Sequence, residues 1–148
     1  MIPTVAVSIA VDTAYIAAQA SNGFVTSGIY MFDNMLAHGS GQEGTLGLHT
    51  VCNVGQLVGF RCVPIDAEQS LGDVVVIKSF LTVSGNVFTG AGHPVQQPPL
   101  GADPAGSYWV GEAMLAGKEQ YTIQVEVTTG VLQKVSYYVQ WNATITAS

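Results

Sequence analysis

The sequence predicts an all-β fold: a single-domain antiparallel β-sandwich, jelly-roll-like, with about nine short strands over residues 1–148. Three observations lead there. Apolar and polar residues alternate with period two through much of the chain. Clusters of Gly, Pro, Asn and Ser break the alternating runs at short intervals. Only one short stretch reads as helix, and the length suits one domain.

The elements follow in chain order. Residues 5–11 place Val5, Val7, Ile9 and Val11 on one face, with Ala6, Ser8 and Ala10 on the other. Residues 13–20 are Ala-rich behind Asp12 or Thr13 as cap, which predicts about two helical turns. Ser21-Asn22-Gly23 then turns the chain, and strands are expected near 28–33 and 46–52, on either side of the Gly-rich run from Gly39 to Gly44. After Val54-Gly55-Gln56, residues 57–63 alternate with Val58, Phe60 and Cys62 inward. Val74, Val75, Val76 and Ile77 are apolar on both faces, which implies a central strand over 74–83 or one covered on its outer side. Ser84-Gly85-Asn86 ends it, and the Pro- and Gly-rich segment 90–106 reads as a long irregular loop. A strand is expected near 107–115. Residues 119–128 turn Tyr121, Ile123, Val125 and Val127 inward, and residues 134–141 do the same with Val135, Tyr137, Val139 and Trp141. Thr129-Gly130 between them reads as a hairpin turn, and 142–146 as one more strand.

Composition excludes several classes of function. Charged residues are 9% of the chain, against about 25% in ordinary domains, so Ser, Thr, Asn, Gln and Gly must cover the surface. The net charge is −6, and the four basic residues, Arg61, Lys78, Lys118 and Lys134, are scattered. A phosphate backbone or an anionic membrane surface requires a basic footprint, so neither is an expected partner. Met1-Ile2-Pro3-Thr4 does not open a secretory signal, and no apolar run approaches the ~20 residues of a spanning helix. A cytoplasmic location is expected, with export only by a route that uses no N-terminal signal peptide.

The search for chemistry returns no catalytic set. His38, His49 and His93 are far apart; His38 and His93 read as exposed loop residues and His49 as the outer face of a strand. Cys52 and Cys62 read as reduced core thiols, because a tight hairpin of 46–52 with 57–63 would set Cys52 opposite Leu57. Asp66, Glu68, Asp73 and Asp103 match no calcium loop and read as surface carboxylates. Gly39-x-Gly41-x-x-Gly44 has the letters of a dinucleotide loop, but a strand follows it where a helix is needed. Asn142-Ala143-Thr144 matches a glycosylation acceptor inside a strand. No catalytic residue, metal site or cofactor is therefore expected, and the chain does not read as an enzyme. Among the aromatics, Tyr137 and Trp141 fall on the core face. Tyr108, Trp109 and Tyr138 are the candidate ligand-binding residues, suited to a glycan if they are exposed together.

Several segments taken together carry a family resemblance. They are Val11-Asp12-Thr13, Gly39-Ser40-Gly41-Gln42-Glu43-Gly44-Thr45, Asn53-Val54-Gly55-Gln56-Leu57-Val58-Gly59-Phe60-Arg61, Tyr108-Trp109 and Tyr137-Tyr138-Val139-Gln140-Trp141-Asn142-Ala143-Thr144-Ile145. In order and spacing the chain resembles the bacterial PixA or AidA-like inclusion-body proteins over nearly its whole length. The resemblance implies a β-sandwich under quorum-sensing or growth-phase control that accumulates, sometimes as intracellular inclusions, and is linked to host association and virulence. It brings no catalytic residues. Low charge density agrees with self-association, expected as a homodimer joined through edge segments 28–33 and 142–146 or through stacked neutral faces. A carbohydrate-binding module is the alternative.

Overall fold

The computed structural model describes residues 3–19, 22–65, 72–130 and 132–148. Met1, Ile2, Ala20, Ser21, Asp66 and Glu68, which entered the readings above, lie outside the described residues. The first strand, β1 (Val5–Val11), shows how alternation becomes a layer: Val5, Val7, Ile9 and Val11 are buried, while Ala6 and Ser8 face solvent. The helix α1 (Thr13–Gln19) follows at once. Asp12 caps it, its Oδ1 accepting from Tyr15 N at 3.1 Å, and Ile16 anchors it in the core.

Among the described residues the remaining strands are β2 (Gly23–Phe24), β3 (Ile29–Asp33), β4 (His49–Cys52), β5 (Leu57–Pro64), β6 (Val74–Ser84), β7 (Val95–Gln96), β8 (Tyr108–Glu112), β9 (Gly117–Thr129) and β10 (Val135–Ala147). Sheet A runs β3-β1-β5-β8-β7; sheet B runs β2-β10-β9-β6, with β4 also on β10. The fold is all-β, but the expected antiparallel, jelly-roll-like order is corrected. The strands β1 and β5 pair in parallel, as do β10 with β2 and with β4, and neither sheet closes into a barrel. Alternation reports which face is buried and carries nothing about the direction of the neighbouring strand. Nor are the strands uniformly short. The β9–β10 hairpin is formed as expected around Thr129-Gly130, with thirteen residues in each strand, and segments 134–141 and 142–146 are one strand.

Phe60 is at the centre of the core. Its ring centroid lies 4.7 Å from Phe80, 6.0 Å from Tyr121 and 6.2 Å from Phe88. Val7, Ile9, Ile77, Ile123, Val125 and Val139 surround it, all buried as the alternation required. Full burial of each such aliphatic side chain is worth about 1.5–3 kcal/mol. The doubly apolar start of β6 is explained by cover rather than by a central position. Val76 lies against Gly106, whose carbonyl accepts from Ile77 N at 2.9 Å.

Three further expectations are corrected. Cys52 and Cys62 are buried and free, but β4 and β5 form no hairpin, since they belong to different sheets. Segments 28–33 and 142–146 are not open edges. On β3, Met31 N donates to Thr45 O, Gly44 N donates to Met31 O, and Asp33 N donates to the Glu43 carboxylate. The stretch 142–146 is held between β9 and β4. On β6, His93 Nε2 donates to the Phe80 carbonyl at 2.9 Å, so His93 is half-buried rather than a free loop residue. Outward backbone groups are thus occupied at each of these places, the usual defence against edge-to-edge pairing.

Candidate functional site

The three candidate aromatics are not brought together: two point outward from different sheets and one faces the core. Neighbours on a strand point to opposite sides, and Tyr108 and Trp109 are neighbours on β8. Trp109, opposite Phe60, faces the core: its ring centroid is 5.5 Å from Phe80 and its Nε1 donates to Gly106 O at 3.0 Å. Tyr108, opposite Arg61, lies on the outer face of sheet A, with its hydroxyl over Gly59; a Cβ at Gly59 would stand 2.9 Å from it. Burial raises the Tyr108 phenol above its ordinary range. Tyr138 faces outward from sheet B and donates to Glu126 Oε2 at 2.9 Å, a hydrogen bond that raises its phenol too.

Around Tyr108 the register aligns Phe32, Ser8, Arg61 and Tyr108 in one row across four strands of sheet A. Arg61 is held by Asp103, Nε to Oδ2 at 2.7 Å and Nη2 to Oδ1 at 3.2 Å, and this pairing raises the guanidinium further. Phe32 and Tyr30 were not among the residues singled out from the sequence. Their alternation with buried Ile29 and Met31 in 28–33 was the available signal.

The outer face of sheet B is the broader feature. The β9–β10 register sets Gln120 beside Thr144, Thr122 beside Asn142, Gln124 beside Gln140, and Thr128 beside Ser136. Thr122 Oγ1 donates to Asn142 Oδ1 at 2.6 Å, and Thr128 and Ser136 hydroxyls are 3.0 Å apart. On the flanks, Leu81 extends the Thr122 row and Phe24 the Gln140 row. Next to Thr144, His49 contacts Thr144 Oγ1 through Nδ1 at 2.6 Å and Thr146 Oγ1 through Nε2 at 3.2 Å. It is on the outer face as expected, and burial lowers its basicity first, with Lys118 adding to the effect. Among the described residues, Glu126 is the one carboxylate on this face, 3.9 Å from Lys78 Nζ. Asn142 is half-buried within this ladder, in mid-strand.

Elsewhere the surface is less developed. Tyr15, Ile16, Gln19, Phe24, Val25, Thr26 and Ser27 line a shallow, half-open cleft beside α1 that contains no charged group. Among the described residues no group of three or more His, Cys, Asp and Glu is placed to hold a metal ion. No helix among them is long and apolar enough to cross a membrane. The Gly39–Gly44 run follows a 3-10 turn at Leu36–His38 and lies along β3, with no helix after it to face a phosphate.

This is a two-layer, mixed-sheet β protein whose most developed surface is a neutral polar sheet face; no catalytic centre is assembled among its described residues. Residues 3–133 match the family described as a domain of unknown function, DUF8788, and the chain belongs to that family. The crystal structure of an inclusion body protein, PixA, from Burkholderia cenocepacia J2315 is similar in fold, with a TM-score of 0.76 over 97% of this chain and 94% of that one, at 19% identity. No curated protein matches the sequence.

Proposed function

We propose that this chain is a non-catalytic bacterial protein that accumulates in the cytoplasm as one domain over residues 1–148 and self-associates, at least as a homodimer. The observation that carries the reading is the outer face of sheet B. A chain of net charge −6 repels its copies, yet among the described residues this face holds one acidic residue, and Lys78 stands beside it. Side-chain amides both donate and accept, so Gln124, Gln140 and Asn142 are self-complementary across a twofold axis. With the outward groups of Met31 and Asp33 on β3 occupied and 142–146 held between β9 and β4, copies in this reading meet through a face. The likeness in fold to a protein titled an inclusion body protein supports accumulation in that form. Quorum-sensing or growth-phase control and a link to host association belong to the same reading, and transcript levels across growth test them.

Sedimentation velocity over about a hundredfold concentration range tests the association. The wild type is expected to shift to a dimer or larger species. Gln140→Lys, which sets like charges against each other across a twofold contact, is expected to remain monomeric with an unchanged melting temperature. A wild type that stays monomeric throughout ends the proposal. A second reading, glycan binding, is favoured by the placement of Tyr108. Phe32 and Tyr108 flank Ser8 and the fixed Arg61 guanidinium, which is an aromatic and polar platform for a sugar ring. A glycan array with Tyr108→Ala as the control tests it; Trp109 and Tyr138 point elsewhere, so this reading rests on Tyr108.

A further inference from the structure

Glu43 lies in the loop between β3 and β4, and Asp33 is the last residue of β3. One oxygen of each carboxyl group has a clear partner. Glu43 Oε1 accepts from Asp33 N at 2.9 Å, and Asp33 Oδ1 accepts from Met35 N at 2.9 Å. The other two, Asp33 Oδ2 and Glu43 Oε2, are buried with no hydrogen-bond donor. Because Glu43 Oε1 is held on the backbone N–H of Asp33 itself, the two carboxyl groups are brought next to one another. Two ionised carboxylates accept only, so this contact between fully ionised groups would be repulsive, and each orphan oxygen would carry the cost of an unsatisfied buried acceptor.

We propose that Glu43 keeps a proton on Oε2 and donates it to Asp33 Oδ2, and that this shared proton latches the 43–45 segment over the outer edge of sheet A. A single proton satisfies both orphan oxygens. Its position explains what the latch guards: Glu43 occupies the outward N–H of Asp33, while Gly44 and Thr45 occupy both outward backbone groups of Met31. Burial is the first reason that Glu43 keeps a proton, and its contact with Asp33 adds to it. Among the described residues, Asp33 also acts electrostatically on His49 of β4 and on the buried Tyr121 of β9; Lys118 acts on the same His49, and Glu119 and Cys52 on the same Tyr121.

The sign follows from the proton. Glu43 holds it more tightly folded than unfolded, so the latch contributes its full stability below the unfolded glutamate value and loses it as pH rises through the raised folded value. Above that point two carboxylates face each other, and the β3 edge is released for pairing with another chain. Glu43→Gln replaces the shared proton with an amide N–H that does not titrate.

Two measurements test this. In carbon-detected NMR of the wild type, Glu43 should titrate above the ordinary glutamate range. As pH rises through that step, amide exchange at Asp33 and Gly44 should speed up at least tenfold in the wild type after correction for intrinsic exchange, and stay flat in Glu43→Gln. Glu43 titrating at or below the ordinary value overturns the proposal, and so do parallel exchange profiles for the two proteins. The first measurement needs no variant, so a Glu43→Gln chain that fails to fold leaves the test intact. Neither readout depends on self-association.

Discussion

Ile123 lies midway along β9, fully buried, opposite Trp141 on one neighbouring strand and Phe80 on the other. Ile123→Ala leaves a cavity between two aromatic residues that can close only in part, and should cost about 2–5 kcal/mol. Its neighbour Gln124 points outward, and Gln124→Ala should stay within about 0.5 kcal/mol; urea unfolding of both variants checks the contrast. The cysteines form a second residue-scale test. Burial pushes the Cys52 thiol up to about 11 and raises Cys62 further. At pH 8 only roughly one Cys52 in a thousand is thiolate, the form that reacts. Native protein should therefore consume a thiol reagent slowly, and after unfolding without reductant it should release two thiols per chain. The sequence reading reached free thiols through a hairpin that does not exist. The two residues instead enter the core from opposite sheets, and each is a buried free thiol there.

At the scale of elements, β4 is short and depends on β10 for its place, and His49 contacts both Thr144 and Thr146 there. Because the fold lowers the basicity of His49, its contribution is present above the unfolded value of about 6.5 and is lost as pH falls through the folded one. The melting temperature should decline as pH is lowered from about 7 to about 5, and His49→Gln should decline less. These elements also show which features are legible in a sequence. The strands β1 and β9, and β10 from Val139 onward, alternate over enough residues for their buried faces to be read directly, whereas Val135, read as inward, is exposed at the start of β10. With two residues each, β2 and β7 have no period to read. Parallel pairing of β1 with β5 joins Val5 to Val58, a relation that no local pattern carries. The candidate surfaces were harder still. The Phe32–Ser8–Arg61–Tyr108 row draws one residue from each of four strands, and the Asp33–Glu43 pair depends on how a Gly-rich loop folds back. Tyr138 was correctly assigned to the outer face because it lies between buried Val139 and half-buried Tyr137 on a long alternating strand.

For the whole molecule, the scarcity of charge and the placement of that charge act together. Each copy carries a net −6, and screening at physiological salt acts over about 8 Å, so association through the outer face of sheet B should strengthen with added salt. Approach to the pI of about 4.6 should enlarge the assemblies. Light scattering against salt and pH checks both, and association that weakens with salt would show that copies meet through opposite charges instead. The topology of sheet B has a separate consequence, for synthesis. Of the ten strands among the described residues, β10 is the last in chain order and the one on which β2, β4 and β9 assemble. His49 precedes its partner Thr144 by 95 residues, which at ribosomal speed is a wait on the order of 5–20 s. Throughout that interval the nascent chain carries Thr50 and Cys52, fully buried in the finished fold, with no sheet to receive them. A polysome making this protein at a high rate therefore holds many half-built sandwiches close together, and the chain is at its most adhesive before its last strand emerges.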